Sequence, residues 1–430
     1  MDIQVYTHPP FNTWKSIIER PKKEDLPDVS TIINNVRIYG DIALKSYTNK
    51  YDGLNIRYIQ VTKEDIDKAS MKISNSLKES IEIAYENILC FHQKQIHKES
   101  KIEILPGVTC WRKSVPIEKV GFYIPGGSAP LLSTVLMLGI PAKLAGCEDI
   151  ILCSPPNKNG SIHPSILYTA KKYIGITRIY QVGGAQAIAA MAYGTESIPS
   201  VYKIFGPGNS YVTMAKQIVS KNLAVAIDIP AGPSESVILA DSTANPEYVA
   251  SDFISQSEHD MESYILLVTV NEYEWIETVK SELKKQLINL SNNNREHIIK
   301  KSLEKSKMII LSSLEECINL INQVAPEHLI INCNNASYWS EKIKNAGSIF
   351  LGNYSPISVG DYASGTNHVL PTSGYAKFYS GVSVNSFIKK ITVQKISKKG
   401  LRSLSKCINV LSSEEGLIAH QKSINIRLKN

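Results

Sequence analysis

The feature that most constrains this chain is a short apolar strand that runs into a glycine- or proline-bearing loop and then into a helix-like segment, four times in succession. Val120-Gly121-Phe122-Tyr123-Ile124 leads to Pro125-Gly126-Gly127-Ser128, and Ile150-Ile151-Leu152-Cys153 leads to Ser154-Pro155-Pro156. Arg178-Ile179-Tyr180-Gln181-Val182 leads to Gly183-Gly184-Ala185-Gln186, and Tyr202-Lys203-Ile204-Phe205 leads to Gly206-Pro207-Gly208-Asn209. Units of this kind lay strands parallel in one sheet and cover both of its faces with helices.

A further strand, Ser236-Val237-Ile238-Leu239-Ala240, is followed by Asn245-Pro246-Glu247: a capping residue, a first-turn proline and an acid. That order predicts a helix over 246–258. Met308-Ile309-Ile310-Leu311 and Leu329-Ile330-Ile331, with a helical segment between them, predict a second α/β unit. Upstream, 22–95 reads as helical scaffold, with Val29, Ile32, Ile33 and Val36, then Leu77, Ile81, Ala84 and Ile88, at helical spacing. After about 380 the spacing is helical again and rich in Lys and Ser, in a segment too short to bury a core by itself. It must pack on the body or on a partner subunit.

The expected architecture is α/β: two open, incomplete Rossmann-like parallel-sheet domains, a helical N-terminal scaffold and a small helical C-terminal tail domain. The boundaries are an N-terminal extension over 1–20, a first α/β domain from 21–119 and 237–380, a second from 120–236, and the tail over 381–430. With 430 residues, 43% hydrophobic and 20% charged, the chain has the usage of a globular multi-domain protein. The net charge of +7 comes from scattered Lys, so a solvated surface is expected and no nucleic-acid partner. No apolar run reaches the roughly 18 residues of a membrane span and no leader is seen, so the expected setting is cytoplasmic, without membrane. Seven cysteines, odd in number and without a Cys-x-x-Cys pair, are expected to be free thiols.

Of nine histidines, His259, His328, His368 and His420 sit near carboxylates, amides or glycine-bounded loops. Gln256 and His259, three apart on the predicted helix, project from one face, as two metal ligands would and as a solvated helix end also would. Asp361, flanked by Gly360 and Gly365, is either a further carboxylate for such a site or a surface turn. Glu327-His328 sets an acid beside an imidazole just before an apolar strand. The pair suits proton abstraction and water activation, and an exposed loop pair would look the same. The glycine loops suit phosphate at a helix start, but none matches Gly-x-Gly-x-x-Gly, because Tyr211 stands at the sixth place after Gly206 and Gly208.

Six stretches resemble the histidinol dehydrogenase family: Tyr123-Ile124-Pro125-Gly126-Gly127-Ser128-Ala129-Pro130, Val182-Gly183-Gly184-Ala185-Gln186-Ala187, Phe205-Gly206-Pro207-Gly208-Asn209, Asp228-Ile229-Pro230-Ala231-Gly232-Pro233-Ser234-Glu235, Pro326-Glu327-His328-Leu329, and the run from Gly360 through Asn367-His368 to Thr372. The resemblance begins near residue 20 and is strongest over 120–372. It implies a zinc-dependent oxidation of L-histidinol through the aldehyde to L-histidine, with two NAD and one water. It places the zinc ligands on Gln256, His259, Asp361 and His420, and the acid and base on Glu327 and His328. NAD contacts fall on Tyr123, Gln186 and Asn209, and substrate contacts on Ser234, Gln256, His259, Glu327, Asp361, His368, Glu415 and His420. The zinc and catalytic residues thus belong to the first α/β domain and the NAD loops to the second. It also implies a homodimer in which the tail, with Glu415 and His420, completes the partner's site.

Rival chemistries remain from the residues alone. A thiolate at Cys147 or Cys153 could trap an aldehyde, although both read as packed thiols. A zinc hydrolase would use the same His, Asp and Glu but leave the glycine loops without a purpose. A non-catalytic binding protein would not need Glu327-His328.

Overall fold

Strands that lie in the middle of a parallel sheet are buried on both faces and therefore read as continuous apolar runs. Tyr264–Val270 and Glu235–Ala240 are such strands, the second buried at every position. The computed structural model describes residues 3–20, 28–96, 99–126, 130–222, 225–229, 232–290 and 294–429. The expected helical stretch at 22–27, the loop residues 127–129, and 230–231 lie outside them.

Two parallel sheets organise the chain. The five-stranded sheet has the order Ile179–Tyr180, Asp149–Cys153, Lys119–Tyr123, Lys203–Phe205, Ala226–Ile227. The six-stranded sheet has the order Gln4–Thr7, Lys307–Leu311, Tyr264–Val270, Glu235–Ala240, His328–Asn332, Ser348–Leu351. In each sheet three consecutive strands build outward in one direction and the next two in the other. The reversal falls between Lys119–Tyr123 and Lys203–Phe205 in one sheet, and between Glu235–Ala240 and His328–Asn332 in the other. This is the open Rossmann-like pattern, with a switch point in each sheet.

Four apolar clusters cover the four sheet faces. The helix Pro246–Ser257 begins as its sequence requires: Asn245 accepts from the Glu247 N–H, and Pro246 takes the first turn. The helix Leu132–Ala145 is buried over ten successive positions, which explains its apolar residues all round.

Three parts of the expected domain plan are corrected. Residues 1–20 are not a mere extension, since Gln4–Thr7 is the edge strand of the six-stranded sheet, and Trp14 and Ile17 pack beneath that sheet. The N-terminal helices Ser30–Asp52 and Asn75–Gln93 pack on the five-stranded sheet, since Val36 and Leu44 join the cluster of Ala187 and Ile188, while Ile81 and Ile88 join that of Phe122; of the stretch 237–380, the second helix also meets Ala363, Asn367 and Val369. The tail is not wholly helical: Ile388–Ile396 pairs antiparallel with Val108–Pro116, which pairs with Ile102–Leu105.

Beyond that small sheet the helices Lys398–Glu414 and Ile418–Leu428 fold on each other. The first buries only Gly400 and Ser412, and the second buries nothing. Val410, Leu411, Leu417, Ile418 and Ile426 are left exposed. Among the described residues, no helix is long and apolar enough to cross a membrane.

Candidate active site

A helix that connects two neighbouring parallel strands must run back against them, so its last turn returns to the edge where the strands begin. Gln256 and His259 therefore come to the amino edge of the six-stranded sheet. His328 opens its own strand there, beside Ser236 and Ser348, and Asp361, on the returning helix Ile357–Tyr362, reaches the same edge. Candidates separated by about a hundred residues in sequence thus meet through topology alone.

The meeting is close. His259 Nε2 lies 3.8 Å from Asp361 Oδ2, and His328 Nε2 lies 3.8 Å from Asp361 Oδ1. The Gln256 side-chain oxygen is fully buried without a hydrogen-bond partner. His328 Nδ1 faces two acceptors, the Glu235 carbonyl at 3.4 Å and Glu327 Oε2 at 3.5 Å. That environment places the ring proton on Nδ1 and leaves the Nε2 lone pair free, and Nε2 is buried with no partner. Burial opposes protonation of this imidazole, but Glu327 and Asp361 outweigh it and hold His328 above its ordinary range.

His368 packs directly against Asp361. Its Nδ1 lies 2.9 Å from the Asp361 carbonyl, and Thr134 Oγ1 lies 3.1 Å from its Nε2. With Nδ1 donating and Thr134 donating to Nε2, the ring is neutral, and burial lowers its pKa accordingly. His368 therefore braces the Asp361 backbone against the helix Leu132–Ala145. The Ser234 carbonyl receives the Tyr264 N–H at 3.1 Å, just before the strand. Glu415 and His420 are exposed on the tail helices, with no hydrogen bond or ion pair to the other candidates. Among the described residues no group of three His, Cys, Asp or Glu gathers as a metal site within one chain.

The glycine loops gather at the carboxyl ends of the five-stranded sheet, around its switch point. The Tyr123 hydroxyl accepts from the Gly184 N–H at 3.1 Å, and burial pushes that phenol up to about 12. Gly206, at φ 123°, rests against the Tyr123 carbonyl, where a Cβ would overlap it. The Gly206 N–H donates to Asp228 Oδ2 at 2.7 Å, and its carbonyl accepts from Lys216 Nζ at 3.0 Å. Lys216 and Asp228 form an ion pair with both side chains only 3% exposed. Asn209 caps the helix Ser210–Asn222 by accepting from the Val212 N–H at 3.1 Å, and Gln186 is buried.

Several residues have no local sequence signal. Arg20, Thr134, Lys216, Asp228 and Glu235 act through partners distant in the chain or in the next element. Asp252, one helical turn before Gln256, is buried, and that burial lifts its carboxyl to about 7. A lone acid amid Val249 and Phe253 was a sign that could have found it. The thiol route has little support: burial pushes Cys147 up to about 11 and Cys153 higher still, so neither is a thiolate near neutrality.

The chain is similar to known proteins over nearly its whole length. The histidinol dehydrogenase family model matches residues 19–428. A histidinol dehydrogenase of Bacteroides thetaiotaomicron is 51% identical over 429 residues, covering 99% of each chain. The chloroplastic histidinol dehydrogenase of Arabidopsis thaliana is 46% identical, over 94% of this chain and 85% of its own. The crystal structure of histidinol dehydrogenase from Elizabethkingia anophelis superposes with a TM-score of 0.95 at 49% identity, covering 99% of this chain and 98% of that one. With a family match over nearly the whole chain and relatives at this identity, the chain belongs to the histidinol dehydrogenase family.

Proposed function

We propose that this chain oxidises L-histidinol through L-histidinaldehyde to L-histidine, the last steps of histidine biosynthesis, reducing two NAD and consuming one water. The observation that carries the reading is His328: its Nδ1 is held by acceptors, and its Nε2 is buried, unpartnered and turned toward Asp361. An imidazole so placed is a ready proton acceptor.

Zinc belongs to the proposal, and the residues fit it. The Gln256 amide oxygen would cost about 1–3 kcal/mol if it stayed buried and unpaired, and ligation would satisfy it. With His259 and Asp361 it makes an oxygen-nitrogen set suited to zinc, lacking a fourth member. His420 of a second copy would be that member, delivered by a tail whose Val410, Leu411, Leu417, Ile418 and Ile426 stand exposed within their own chain. A homodimer with shared sites is therefore part of the reading, as is a cytoplasmic setting. The substrate contacts would be Ser234, Gln256, His259, Glu327, Asp361 and His368 of one chain, with Glu415 and His420 of the other. Tyr123, Gln186 and Asn209 would flank the NAD crevice.

When bound, zinc supplies a fixed positive charge that orients the substrate nitrogens, and NAD supplies the hydride acceptor. His328 Nε2 takes the hydroxyl proton as the first hydride departs. Glu327 takes a proton from water as it adds to the aldehyde, and His328 takes the hydrate's proton in the second oxidation. The balance is one histidinol, two NAD and one water giving histidine, two reduced cofactors and three protons. Purified protein with zinc, L-histidinol and NAD is expected to form two reduced nicotinamides per histidine. One per product, or hydrolysis without reduction, would overturn the reading.

A further inference from the structure

The acid and base of the site are fixed by backbone atoms of one residue. Glu235 donates its N–H to Glu327 Oε2 at 3.0 Å, and its carbonyl faces His328 Nδ1 at 3.4 Å. The position of Glu235 thus sets the positions of both reacting side chains.

Glu235 is itself held by its carboxylate, which is buried and lies near that of Glu327. Burial and the neighbouring acid both resist its ionisation, and Arg20 opposes them. Arg20 Nε and Nη2 reach the two Glu235 oxygens at 2.5 and 2.8 Å, and Nη2 also donates to the Val324 carbonyl at 2.8 Å. Val324 ends the helix Leu314–Val324, and Ala325, at φ 51°, turns the chain into Pro326-Glu327-His328. One guanidinium therefore ties together the strand that grips the acid-base pair and the helix end that delivers it.

We propose that Arg20 is a positioning residue for the reaction: through its two-pronged grip on Glu235 and its bond to Val324, it holds Glu327 and His328 in register with Asp361. This rests on the assignment of Glu327 and His328 as the reacting pair. The fork geometry matters as well as the charge, since Lys offers a point charge and cannot make both bonds to the carboxylate and the third to Val324 in the same way.

The test uses full-length, zinc-loaded enzyme carrying Arg20→Met, Arg20→Lys or Arg20→Met with Glu235→Gln, beside His328→Asn. Arg20→Met is expected to lower kcat roughly 10- to 100-fold with the KM values for L-histidinol and NAD nearly unchanged and zinc content retained. Arg20→Lys is expected to recover part of kcat. If Arg20→Met is too unstable to isolate, the double variant decides: it removes the buried unpaired charge, so it folds, and its kcat stays low. Wild-type kcat in either folded Met variant, while His328→Asn is crippled, would overturn the positioning role. An active His328→Asn would instead remove the reacting-pair assignment on which the role depends.

Discussion

Replacing His328 by Asn lowers turnover by about 100- to 10,000-fold, with the fold and zinc content retained. The substitution separates the two functions of the ring. An Asn amide N–H can still reach toward the Glu235 carbonyl that Nδ1 now faces, so the start of the strand His328–Asn332 keeps its polar partner. What disappears is Nε2, the buried nitrogen without a hydrogen bond. Steady-state kcat and kcat/KM, measured beside zinc content, check the prediction. Both rate parameters fall together if His328 acts only once reaction begins. Unchanged turnover would remove His328 from the scheme.

Replacing Lys216 by Met destabilises the protein by about 3–5 kcal/mol, because it strips a buried carboxylate of its ion-pair partner. Asp228 and Lys216 are both shielded from water, so solvent cannot take over the charge left behind. The Gly206 carbonyl loses its donor in the same step. Urea unfolding of the two chains measures the difference. Adding Asp228→Leu to Lys216→Met is expected to recover much of the loss, since the unpaired charge goes too. A loss below about 1 kcal/mol for the single variant would show that water reaches the pair.

Much of the α/β framework was legible in the sequence because parallel strands announce themselves as apolar runs closed by turn residues. The strand Lys307–Leu311, the strand His328–Asn332 and the capped helix Pro246–Ser257 lie within a residue or two of expectation. The antiparallel sheet was not legible, since Val108–Pro116 and Ile388–Ile396 are half-exposed and rich in Lys, Arg and Thr, so neither apolar periodicity nor a turn dipeptide marks them. Nor was the short edge strand Gln4–Thr7, whose partner Lys307–Leu311 is some three hundred residues away.

The same limit applies to the site. Gln256, His259, Asp361, Glu327 and His328 carry side chains whose chemistry is visible in one dimension, and the fold brings them to one sheet edge. The Arg20–Glu235 pair joins residues 215 positions apart and leaves no local trace. The Thr134–His368 link crosses between the two sheet units in the same way. His420 is the extreme case: within its own chain it stands exposed, on helices that bury almost nothing.

That residue exposes the account to its most direct test. A chain carrying His420→Ala and a chain carrying His328→Ala are each expected to be inactive alone. If tails are exchanged, the mixed dimer contains one site built from the intact body of the first chain and the intact tail of the second. Unfolding and refolding the two together is then expected to restore activity, up to about a quarter of the wild-type value at statistical exchange in a two-fold dimer. Verified mixed dimers without activity would contradict the shared site, and with it the convergence of Gln256, His259, Asp361 and His420 beside His328.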